Sequence, residues 1–312
     1  MSLNLPLSLL QHQGPMLKTL GNIVLSSLLP GKKPKHNPDV IEDVEMILPA
    51  PDPELVSLYR RWCTHSIRTE NGNLPFEPDN VLPPHLFSQF ALSVCAKQLK
   101  LTKYRLLNIL NQGVGLEVHK PIPMGEPLHI VCKMVEIKEE DNRARLHQEL
   151  HIGTATEPHC YTAAFHTVFI LGKRAKTNKT QSAKQNSPLN DDSNNAFNRI
   201  GKWMVAPNDG LNFALLTGDF NPIHWVGFLA KLSPFKRKVL HGFGMFTRTI
   251  ETLQASAGKP VKRIHVRFIN PAFLNGQLVT VRMTSTASDG EMETLELKDQ
   301  NGKVLMIGDV GF

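Results

Sequence analysis

The chain has 312 residues, enough for one large or two medium domains with a sizeable core, and its 41% apolar and 20% charged content excludes disordered, collagen-like and coiled-coil classes. Thirty-five Lys and Arg against 28 Asp and Glu leave a net charge of +7, which attracts nucleic acid, anionic lipid, acidic carrier proteins and coenzyme phosphates alike and does not choose among them. The longest apolar stretches, such as Leu20 to Leu29, stop well short of the ~20 residues of a bilayer-spanning helix, so no transmembrane segment is expected.

Residues 1–50 read as an N-terminal extension; its first 38 residues hold four Lys and no acidic residue. It has no charged n-region ahead of an apolar core and no small-residue cleavage site, so secretion is not expected. Cys63, Cys95, Cys132 and Cys160 form no C-x-x-C pair and read as free thiols of a reducing compartment, so a cytoplasmic location is expected.

Two similar halves follow, 51–172 and 199–312, separated by a polar linker over 173–198. Between Lys173 and Asn195 Leu189 is the one large apolar residue, too little to offset the entropy of ordering the segment. In the first half Pro84-His85 opens a helical pattern with Phe87, Phe90 and Val94 on one face. A strand from Val118 to Pro121 leads into a turn at Gly125, and alternating segments run over Leu128 to Ile137, Ala144 to Ile152 and Tyr161 to Leu171. The second half repeats this order. Leu240-His241 opens a helix with Phe243, Phe246, Ile250 and Leu253, then come Val266 to Pro271 with Gly276, Leu278 to Thr286, Met292 to Leu297 and Val304 to Val310. One long apolar helix followed by several antiparallel strands requires an enclosing sheet, so the fold class is α+β, two copies of a sheet wrapped around a helix.

The stretch Leu211 to His224, LNFALLTGDFNPIH, carries the most chemistry. Asn208 or Asp209 caps a short apolar helix, and Gly218 ends it in a left-handed conformation. Pro222 fixes its own φ and pushes Asn221 into an extended one, so Asp219 and His224 are delivered by a stiff bend, with Asn221 between them free to bond backbone or either side chain. An Asx-turn with a packed histidine is the plainer alternative. Further on, Gly242 and Gly244 stand in the first turn of the long helix, where each costs ~1 kcal/mol relative to Ala. Either a ligand oxygen approaches the uncommitted amides there, or the helix packs closely on the sheet.

Phe213 to His224 followed by Leu240-His241-Gly242 resembles the signature of the MaoC-like family, the (R)-specific enoyl-CoA hydratases (hydratase 2), in its double hot-dog form. The resemblance covers the second half directly and the first by element order. It implies two fused hot-dog repeats, a degenerate first and a catalytic second, interconverting trans-2-enoyl and (R)-3-hydroxyacyl thioesters. Asp219 and His224 would activate water, and the Gly242 N–H would bind the thioester oxygen. Asn221, Trp225, His241, Lys236 and Arg237 are the candidate substrate-binding residues. The partner implied is an acyl-CoA or acyl carrier protein substrate, with no separate cofactor, no metal and no nucleic acid, in a monomer or homodimer. Trp225-Val226-Gly227 departs from the acidic turn common after the family's histidine, and Lys231, Lys236, Arg237 and Lys238 form a basic stretch that either meets an anionic group or is simply solvated. A non-catalytic acyl-binding module and a thioesterase stay open as alternatives. His147 and His151 invite a metal reading, but four residues apart on a strand is ~13 Å, too far to share one ion.

Overall fold

The computed structural model describes residues 3–14, 38, 40–76, 78, 80–106, 109–171, 197–284 and 292–312. The polar segment expected as a linker lies almost wholly outside these residues. Within them, strands β1 (Val44–Leu48), β2 (Arg68–Thr69), β3 (Ile109–Val118), β4 (Leu128–Glu140), β5 (Arg143–Gly153), β6 (Tyr161–Ile170), β7 (Asn198–Met204), β8 (Arg263–Phe268), β9 (Leu278–Met283), β10 (Glu293–Asp299) and β11 (Val304–Gly311) form one sheet. Its order is β1-β4-β5-β6-β3-β8-β11-β10-β9-β7-β2. The described helices are α1 (Pro53–Thr64), α2 (Phe87–Leu99), α3 (Asp209–Thr217), α4 (Gly227–Leu232) and α5 (Gly242–Ala257), besides short 3₁₀ turns.

The strand order is itself a duplication. β4-β5-β6-β3 in the first half corresponds to β9-β10-β11-β8 in the second, each edged by the strand that precedes its helices, β1 or β7. The halves join antiparallel through β3 and β8, with Val114 opposite Val266. Each sheet encloses a central helix, α2 or α5, as expected for two fused hot-dog repeats.

The duplication is interlocked. β2, from the first half, pairs with β7 at the far edge of the second sheet, and Trp62 of α1 packs on Phe213 of α3 with ring centroids 5.2 Å apart. Two boundaries therefore shift. The expected extension contributes β1 to the first sheet, while Leu5 and Leu9 are buried and the Leu5 N–H donates to Asn212 Oδ1 of α3. The strand expected over Val118 to Pro121 instead ends at Val118 and begins at Ile109, because Asn111, Gln112, Gly113 and Gly115 hide its alternation.

One apolar cluster runs through both halves. Phe87, fully buried at the start of α2, meets Phe165 at 5.6 Å, Phe243 at 5.9 Å and Phe246 at 6.2 Å, each edge-on. Phe87→Ala should therefore lower unfolding free energy by about 3–5 kcal/mol in urea titrations, and a loss under about 1 kcal/mol would contradict a shared core.

α5 is buried nearly all round, Arg248 and Glu251 included. The Arg248 guanidinium lies over the Trp62 ring at 4.2 Å and donates to the carbonyls of Met204 (2.9 Å) and Trp62 (3.1 Å) and to Asp209 Oδ1 (3.3 Å). Asp209 also accepts from Trp62 Nε1 at 3.0 Å and the Ala206 N–H at 2.8 Å. These bonds offset the cost of burying the two charges, with Arg248 Nε left without a partner among the described residues, and the pair ties α3, which carries the Asp219–His224 bend, to α1, β7 and α5. All four cysteines are buried free thiols. No helix among the described residues is long and apolar enough to cross a membrane.

Candidate active site

α3 ends as its sequence dictates. Gly218 is left-handed at φ 77°, and its N–H donates to the Ala214 carbonyl at 2.8 Å. Asp219 follows, its Oδ1 accepting from the Asn221 N–H at 3.4 Å. Asn221 in turn caps the 3₁₀ turn Pro222–His224 by accepting from the Ile223 N–H at 3.3 Å. The Asn221 side chain therefore bonds backbone and not the side chain of Asp219 or His224, while its own N–H meets the Asp219 carboxylate, and both bonds hold the bend.

A contact invisible in the motif seats that bend. A Cβ on Gly210 would stand 1.9 Å from the His224 carbonyl oxygen, so the turn lies directly on the first residues of α3. The one sequence signal was a glycine in the first turn of a short apolar helix, which its neighbour Asp209 disguised as ordinary capping.

His224 is buried, and its Nδ1 lies 2.8 Å from the Val239 carbonyl. A carbonyl only accepts, so Nδ1 carries the proton and Nε2 of the neutral ring keeps its lone pair. Burial pushes this imidazole below its ordinary pKa, with the Asp219 carboxylate opposing. His241, the residue before α5, is also buried. Its Nε2–H donates to the Asp219 backbone carbonyl at 3.0 Å, and its ring stacks on that of His224 with centroids 3.6 Å apart at 25°. Burial, then the neighbouring His224, holds His241 well below the usual imidazole range.

A carboxylate oxygen of Asp219 and one ring nitrogen from each histidine lie within 4.8 Å of one another. Stacked imidazoles direct in-plane lone pairs side by side and not at one point, a poor arrangement for tetrahedral metal ligation. It is a suitable one for moving a proton between water and a neutral ring. The Asp219 side chain, 28% exposed against 1% for His241, opens the trio to solvent.

The other expected residues are more scattered. The Trp225 indole donates to the Phe220 carbonyl at 3.3 Å and covers the bend. Lys236 and Arg237 are exposed on the turn after α4, Lys236 with φ 59° and the Arg237 guanidinium 5.8 Å from the Phe273 ring centroid. No hydrogen bond or ion pair joins either to the trio among the described residues. At Gly242 a Cβ would fall 2.7 Å from the Phe268 ring, so close packing of helix on sheet explains this glycine. Its amide, like every first-turn amide, has no intrahelical acceptor. His147 and His151 sit on β5, stacked on His166 and His159 respectively, and not on each other.

Because both site histidines titrate lower folded than unfolded, acid selects the unfolded chain. Stability from this source is complete above the unfolded value near pH 6.5 and falls as pH drops through it, by up to ~1.4 kcal/mol per pH unit per group. Urea midpoints should fall between pH 7.5 and 5.5, and fall less in His224→Ala. An equal fall in both proteins would contradict a buried neutral His224.

Residues 175–302 match the family model of the MaoC like domain. Peroxisomal multifunctional enzyme type 2 of Mus musculus is 27% identical over 174 residues, covering 53% of this chain and 22% of that enzyme, so the chain spans about a fifth of that relative's length. Among solved structures, a MaoC-like dehydratase superposes with a TM-score of 0.69 at 19% identity, over 88% of this chain and 98% of that one. A conserved hypothetical protein of Mycobacterium tuberculosis, described as having a double hotdog fold, superposes with a TM-score of 0.58 at 8% identity, over 88% and 96%. The chain thus carries a MaoC-like domain as the second half of a double hot-dog fold.

Proposed function

We propose that the protein is a hydro-lyase interconverting trans-2-enoyl and (R)-3-hydroxyacyl thioesters of coenzyme A or an acyl carrier. The observation that carries the reading is the 2.8 Å contact of His224 Nδ1 with the Val239 carbonyl, which fixes the tautomer of the neutral ring. With Nδ1 committed to Val239, Nε2 is the basic nitrogen of the neutral ring, and a ring nitrogen of His224 lies within 4.8 Å of the partly exposed Asp219 carboxylate. In hydration, water loses a proton to His224 Nε2 as its oxygen bonds to C3. The C2–C3 π electrons move toward the thioester, whose oxygen gains negative charge and takes a hydrogen bond from the Gly242 N–H at the positive end of α5. The proton then passes to C2, by way of the imidazolium or the Asp219 carboxyl, and the catalytic groups return to their starting state. Dehydration runs the same steps backwards. The MaoC-like domain and the similarity to a multifunctional enzyme support this class of reaction, and the (R) hand rests on the family resemblance.

The test is a series of trans-2-enoyl-CoAs of increasing chain length with chiral chromatography of the product. The (R)-3-hydroxyacyl thioester should form without release of free thiol. Free thiol as the main product would indicate a thioesterase, and tight binding without turnover an acyl-binding module.

A further inference from the structure

One residue beyond the catalytic bend the chain exposes a cluster of large apolar side chains that nothing in the site absorbs. Trp225 is 38% exposed, Phe228 70%, Leu229 39% and Leu232 66%, and Phe228 is the most exposed aromatic side chain among the described residues. On α4, Phe228, Lys231 and Leu232 are spaced i, i+3, i+4 and share one face. The exposed Lys236 and Arg237 follow on the next turn with half-buried Lys238. From residue 220 to residue 250 there is no Asp or Glu.

We infer that this corner, centred on Phe228, Lys231 and Leu232, docks on an anionic phospholipid surface. Exposed apolar side chains on a short helix that also carries Lys231 and leads into Lys236 and Arg237 match the boundary between acyl chains and phosphate headgroups. Phe228 and Leu232 enter the former while Lys231, Lys236 and Arg237 meet the latter. A second copy of the chain fits poorly, because a two-fold contact would press these cations against their own counterparts. An acidic protein would satisfy the charge but gives no reason for the exposure of Phe228 and Leu232. The inference does not rest on the proposed reaction, since its readout is binding.

The experiment is flotation of the full chain with vesicles of phosphatidylglycerol mixed into phosphatidylcholine, against pure phosphatidylcholine. The protein should float with the anionic vesicles only. Trp225 emission should shift to the blue on binding, since Trp62 and Trp203 are fully buried and do not sense the lipid. Raising salt from about 0.05 to 0.5 M should weaken binding at least about tenfold. Lys231→Gln should weaken it about fivefold. Phe228→Ser with Leu232→Ser should weaken it by more than about thirtyfold at unchanged circular dichroism. Failure to float with anionic vesicles would overturn the inference, as would undiminished flotation of the double variant. So would a dimer that the double variant dissociates, or an acidic carrier protein held through these residues by a chain that ignores vesicles. Should the double variant misfold, Lys231→Gln and the Trp225 emission still decide.

Discussion

His224→Ala is expected to lower kcat for hydration of a short enoyl thioester by about 10²–10⁴-fold with little change in KM, the usual effect of removing a positioned general base. The expectation follows from two bonds. Val239 holds the Nδ1 proton, and the bend capped by Asn221 holds the ring beside Asp219. Asp219→Asn should cause a loss of similar size with an added signature. The Asp219 charge raises the His224 pKa against the downward pull of burial, so removing it leaves burial less opposed. The acid limb of whatever activity survives should therefore move to lower pH. A limb that moved upward would contradict this electrostatic account, and full activity in either variant would remove both groups from the mechanism.

Gly210→Ala should be nearly as damaging although residue 210 carries no chemistry. The new methyl would stand 1.9 Å from the His224 carbonyl oxygen and 2.8 Å from Leu274 Cδ1, where atoms cannot remain, so the bend must lift from α3. A displacement of ~1 Å at an acid/base pair is worth about 10²-fold in rate, and the overpacking should reduce stability by about 1–3 kcal/mol. Stopped assays on folded variant together with urea titration separate the two effects. Wild-type kcat in a stable Gly210→Ala protein would show that the seat of the bend does not matter.

These two sites mark what the sequence made legible. The bend from Asp219 to His224 could be read because its determinants, Gly218, Asn221 and Pro222, act within a few residues of one another, and the structure places each as local chemistry requires. Gly210 could not, since its partner is a backbone oxygen fourteen positions away that only the folded bend brings close. The stacking of His241 on His224 was hidden for the same reason, and the sequence offered His241 only as a substrate-binding candidate. Asp209 looked like a capping residue and is the buried partner of Arg248, because a carboxylate at a helix start serves either purpose until a distant guanidinium is in view. At the level of fold, the repeated element order predicted two wrapped helices. It missed β1 within the presumed extension and β3 behind its glycines, where pairing with other strands, not local preference, makes the strand.

The central claim is that the Asp219–His224 pair adds water across a carbon–carbon double bond. It is tested most directly by incubating the protein with crotonyl-CoA in oxygen-18 water and locating the label by mass spectrometry. The account predicts one heavy oxygen in the 3-hydroxyl of an intact thioester, formed by the wild type and nearly absent with His224→Ala. Heavy oxygen in a released carboxylate, or labelled 3-hydroxyacyl product formed equally fast by the variant, would contradict it.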